Sequence, residues 1–68
     1  MESVYKVVEL IGTSEKSWEE AARVAVNTAS KTLRDLRVAE VKEMDIKMEE
    51  GTIIFRVKMN VSFKYLEE

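Results

Sequence analysis

The chain has no cysteine, no histidine and no proline, and it has only two glycines and one tryptophan. Each absence excludes something. Without Cys or His, the disulfides and zinc sites that hold many small domains together are unavailable. Without histidine, the hydroxyls of Thr13, Ser14 and Ser17 lack the usual base that would make one of them a nucleophile, so these residues read as turn and capping groups. Paired carboxylates do acid and base work only where one is held protonated in a dry cleft, and nothing in the sequence indicates such a cleft. The protein is therefore expected not to be an enzyme. Charge of one sign is also missing: eleven basic against thirteen acidic residues, net -2, gives no electrostatic case for nucleic acid or an anionic membrane. No signal peptide and no apolar stretch of bilayer-spanning length is read, so a cytoplasmic location is expected. Abundant Glu and Lys without Cys, His or Gln hints at a thermophilic source.

At 68 residues the chain is read as a single domain, residues 1–68. A domain this small buries only about 60% of the surface its unfolded chain exposes. With staples excluded, oligomerisation is the remaining way to cover more of it.

What is present is strong patterning. Ile53, Phe55, Val57, Met59, Val61, Phe63 and Tyr65 alternate with Arg56, Lys58, Asn60, Ser62 and Lys64. Period two predicts a two-faced strand, roughly 40 Å long at about 3.3 Å per residue. Residues 4–11 are β-branched and aromatic, and predict a strand that stops at Gly12, with Gly12-Thr13-Ser14 as a turn. Ser17 followed by Glu20 fits a capping box and starts a helix at about Trp18. Trp18, Ala22, Ala25, Ala29, Leu33 and Leu36 fall on one stripe of that helix, and Lys31, Arg34 and Arg37 are placed toward its C-terminal end, where the dipole favours positive charge. A further strand over 38–48 meets the long one through a turn at Glu49-Glu50-Gly51, where the glycine supplies a positive φ. The expected fold is α+β, order β-α-β-β, with a three-stranded antiparallel sheet wrapped around one helix.

These segments together carry a resemblance. The run from Val4 to Ala21 (VYKVVELIGTSEKSWEEA), Leu36-Arg37-Val38-Ala39-Glu40-Val41, and the strand from Phe55 to Phe63 resemble the dodecins across nearly the whole chain. The resemblance implies a hollow homododecamer of cubic 23 symmetry built from trimers, with helices outside and sheets lining the interior. Its polar strand face would then look into a shared cavity. Flavin-binding dodecins place a tryptophan and a glutamine at positions occupied here by Val38 and Arg56. Valine offers no π-face and arginine cannot accept a hydrogen bond, so flavin binding is expected to be weak or absent. Trp18, at the helix start, is expected to pack in the core or an interface. Glu40 has the family's position beside the replaced aromatic and is read as a partner of Arg56 or Lys42.

Arg37-Val38-Ala39, Glu43, Asp45 and the ending Val61-Ser62-Phe63-Lys64 are more similar to the flavin-free branch, the calcium dodecins. Glu43 and Asp45, two apart on a strand, project from one face with Cα atoms about 6.6 Å apart. They are a candidate calcium site. Two carboxylates supply at most four of the six to eight oxygens calcium takes, so carbonyls, waters or a symmetry mate must complete it. The competing reading is ordinary cross-strand pairing of these acids with Arg56 and Lys58. Three functions stay open: a flavin-free particle that binds or stores an ion, a flavin-buffering dodecin with a degenerate pocket, and a structural oligomer that acts through a protein partner.

Overall fold

A computed structural model describes residues 2–67, without the side chains of residues 66 and 67. The elements are β1 (Ser3–Ser14), α1 (Trp18–Ala29), β2 (Leu36–Glu49) and β3 (Thr52–Glu67). They form one antiparallel sheet in the order β1-β3-β2, with the long strand in the middle. The expected α+β arrangement is the one observed. Among the described residues no helix is long and apolar enough to cross a membrane.

The helix starts where the cap predicts. Ser17 is extended, and its Oγ accepts from the backbone amide of Glu20 at 3.0 Å. Such a cap contributes about 1 kcal/mol. The other half of the expected box is not made, since the Glu20 carboxylate accepts instead from Arg23 Nη1 at 3.3 Å.

The helix also ends sooner than its apolar stripe suggests, at Ala29. Polar side chains after that point satisfy backbone groups locally. Ser30 Oγ donates to the Asn27 carbonyl at 2.7 Å, and Thr32 Oγ1 reaches the Ala29 carbonyl at 3.5 Å. Hydroxyls that bond to nearby carbonyls compete with helix continuation. Leu33 therefore sits in the following turn and Leu36 opens β2. Lys31, Arg34 and Arg37 follow the helix rather than occupying its last turn, which holds no basic residue.

The first strand does not stop at Gly12. It runs on to Ser14, with Gly12 opposite Val57. A Cβ at Gly12 would collide with the Ala21 carbonyl oxygen and lie 2.9 Å from Ala25 Cβ. The glycine is thus a seat for the helix rather than a turn. It also explains why Ala21, which is outside the stripe read from the sequence, is fully buried while Ala22 is only partly so.

The core lies where the helix crosses the middle of the long strand. Val57, Met59 and Val61 are each 1% exposed, packed with Ala21 and Ala25. Burying each of the three large side chains contributes about 1.5–3 kcal/mol. A 12-residue helix is about 18 Å long at about 1.5 Å per residue, whereas the molecule extends 52 Å. The ends of the apolar row, Ile53 and Tyr65, therefore stay exposed. Tyr65 is met instead by Lys6, whose Nζ lies 4.4 Å from the ring centroid.

The β2–β3 hairpin closes through the two residues Glu50 (φ 47°) and Gly51 (φ 82°), with Glu49 opposite Thr52. Positive φ at both central positions is the type I′ pattern that suits strand twist. Only the glycine half of that turn was expected. Register shifts at Arg37 and Lys42 mark bulges in β2.

Candidate functional site

Pairing in the sheet brings the candidate residues to its polar face. Asp45 is opposite Arg56, and Glu43 is opposite Lys58. Partners across a pleated sheet share a face, so all four side chains rise on the side away from the helix. With Ile11 of β1 they line a hollow of about 150 Å³.

Asp45 and Arg56 form a two-pronged ion pair, with Nε donating to Oδ1 at 2.7 Å and Nη2 to Oδ2 at 2.8 Å. The guanidinium hydrogen bonds hold the Asp45 carboxyl below its ordinary range, and the same contacts raise Arg56. Both side chains are close to half exposed, so solvent screens the pair. Lys58 is placed more loosely. Its Nζ stands 3.7 Å from Glu9 Oε2 and 4.0 Å from Glu43 Oε1, between carboxylates of the two flanking strands.

Glu9 was not among the residues singled out from the sequence. The available signal was its position between the inward Val8 and Leu10, but only the pairing across β3 shows that it faces Lys58. The cross-strand pairing expected of Arg56 and Lys58 is present. Glu43 and Asp45 still share one exposed face, as their spacing predicts.

The remaining site residues lie elsewhere. Glu40 pairs with Lys42 at 4.0 Å. Val38 is opposite Ser62, six residues along β3 from Arg56, or roughly 20 Å. Within one chain Val38 and Arg56 are not parts of one pocket. Trp18 packs edge-on against Phe55, centroids 5.1 Å apart at 75°, and its indole N–H donates to the Asp45 carbonyl at 3.1 Å. It is a packing residue, as expected, and it ties the helix start to the backbone of the acidic strand.

Chemically this face holds carboxylates and fixed cations, with no activated nucleophile. Among the described residues no group of three or more acidic side chains is arranged to hold a metal ion. A divalent cation at Glu43 and Asp45 would need oxygens from outside one chain.

The dodecin family model matches residues 4–66. The chain is 51% identical to calcium dodecin of Mycobacterium tuberculosis over 63 residues, covering 91% of this chain and 89% of that protein. It is 46% identical to the dodecin of Thermus thermophilus, covering 100% and 99%. Its structure is similar to the crystal structure of the mycobacterial protein, described as a calcium-chelating antigen with a novel calcium-binding site. That similarity has a TM-score of 0.87 at 49% identity, over 94% of this chain and 93% of the other.

Proposed function

The chain belongs to the dodecin family, a family of small oligomeric binding proteins, and from that premise we propose that it is a flavin-free dodecin that binds calcium as a hollow homododecamer. The observation that carries this reading is the exposed acidic pair, Glu43 and Asp45, side by side on the polar face of a chain half identical to a calcium dodecin. Their oxygens are hard donors of the kind calcium takes. One chain offers too few of them, and an assembly that sets polar faces toward a shared interior supplies the rest from neighbours, carbonyls and water.

Calcium must compete with the chain's own cations. Arg56 grips Asp45 through both oxygens, while Lys58 holds Glu43 at 4.0 Å, beyond hydrogen-bond reach. Glu43 is therefore the more available ligand. Flavin fits less well, because Val38 has no ring to stack and Arg56 is already engaged by Asp45.

Calorimetric titration of the EDTA-treated protein tests the reading. Wild type should take up calcium and Glu43→Gln should bind it at least tenfold more weakly. Absence of calcium uptake by the wild type overturns the proposal. Riboflavin fluorescence quenched by the protein at submicromolar concentration would favour the flavin reading instead.

A further inference from the structure

Of the two cations that line the hollow on the polar face, one is fixed and the other is not. Arg56 is locked on Asp45 by hydrogen bonds of 2.7 and 2.8 Å. Lys58 Nζ, at 3.7 Å from Glu9 Oε2 and 4.0 Å from Glu43 Oε1, is too far for a hydrogen bond to either carboxylate. Strand register makes its two neighbours unequal. Glu43 is directly opposite Lys58 on β2, whereas the residue opposite it on β1 is Ile11, and Glu9 is opposite Asn60. Glu9 is thus a diagonal neighbour, within reach of a long side chain. Lys58 extends beyond the Ile11 position and stands nearer this diagonal carboxylate than the one directly across from it. Glu43 is left with 72% of its side chain exposed, against 58% for Glu9 and 37% for Lys58.

Resting on the calcium reading above, we infer that Lys58 is the tethered cation that calcium displaces from Glu43, and that Glu9 is the carboxylate that receives it. A dication arriving at Glu43 meets an ammonium 4.0 Å from the same carboxylate, and the like charges repel. Lysine carries a point charge on a flexible stem, so it can swing a short way. Arg56, held as a two-pronged fork, cannot. Because β1 and β2 flank β3, Glu9 stands on the other side of Lys58 from Glu43. A swing toward Glu9 carries the ammonium away from the incoming ion and shortens an ion pair that already exists at 3.7 Å. The charge released from one carboxylate is thereby compensated by the other. Glu9 is a positioning residue on this account and not a calcium ligand, since it acts through Lys58.

Calcium is titrated calorimetrically into the EDTA-treated protein as wild type, Lys58→Met, Lys58→Arg, Glu9→Gln and the double variant Lys58→Met with Glu9→Gln. Neither position is buried, so folding is expected to survive. Lys58→Met keeps the stem and loses the charge, and should bind calcium about two- to fivefold more tightly, the size of effect a solvent-screened charge pair gives. Lys58→Arg keeps the charge and should stay close to wild type. Glu9→Gln should weaken binding about twofold, because Lys58 is then left with Glu43 alone. In the Lys58→Met background the same change should have less effect. A Lys58→Met variant that binds calcium no better than wild type overturns the inference. So does a Glu9→Gln change that leaves wild-type affinity as it was, or that weakens binding by the same factor in both backgrounds. A wild type that takes up no calcium beside a Lys58→Met variant that does would overturn the calcium reading and support the inference, which separates the two failures.

Discussion

Met59 and Met44 lie on the same face of the same sheet, yet one is 1% exposed and the other 55%. Met59 is on the central strand beneath the helix, whereas Met44 is on the edge strand, which the helix meets through Trp18 at Asp45 but does not cover. Alternation places a side chain on a face, and it does not say whether anything covers that face. In this chain the covered middle of the sheet holds the fold together. The uncovered edge leaves the β2 row of Val41, Met44, Ile46 and Met48 exposed.

The largest effect should separate these two methionines. Met59→Ala should cost about 2–5 kcal/mol, through lost burial and the cavity left behind. Its loss should be the same at every protein concentration in urea denaturation. Met44→Ala, at a site 55% exposed, should change stability by no more than about 0.5 kcal/mol. Equal losses in both would erase the distinction.

A smaller effect sharpens the covered side. Gly12→Ala forces a methyl against the Ala21 carbonyl and should cost about 1–3 kcal/mol, read as a lower urea midpoint with the slope unchanged. A neutral result would show that the helix can lift from β1 without loss.

The smallest effect is on the polar face. The folded-state pKa of Asp45 is lowered by Arg56, so in acid the unfolded chain binds a proton that the folded chain does not. Stability from this pair is fully present above the ordinary carboxylate pKa of about 3.9, and it is lost as pH falls through the lower folded value. Asp45→Asn should flatten the acid limb of a stability-against-pH curve below about pH 4, with a small loss at pH 7 that vanishes in acid, where the wild-type carboxyl is protonated as well. An unchanged acid limb would mean that solvent screening removes the pair's contribution.

Much of this was legible in the residues. The β3 alternation, the Ser17 cap, the hairpin glycine and the shared face of Glu43 and Asp45 are consequences of local geometry. Gly12 was misread as a turn because glycine serves equally as a flexible joint and as a place of close approach, and only the neighbouring helix distinguishes them. The helix end was misplaced because the apolar spacing continued through Leu33 and Leu36 while the hydroxyls of Ser30 and Thr32 had already diverted the backbone. Glu9 was missed because its partner Lys58 lies 49 residues away, from position 9 to 58, and meets it only in the folded register.

By itself, then, the sequence determined which segments are strands and helix, which face of each is apolar, and that no disulfide or zinc site supports them. Those properties follow from backbone periods of 2 and about 3.6 residues and from side-chain chemistry. Tertiary structure alone decided that the helix covers the middle of β3 and leaves the β2 row bare. It also decided that Lys58 stands between Glu9 and Glu43, and that Val38 and Arg56 lie apart. The physical reason is that these outcomes depend on strand register and on the length of one helix against a much longer sheet, which no local pattern encodes.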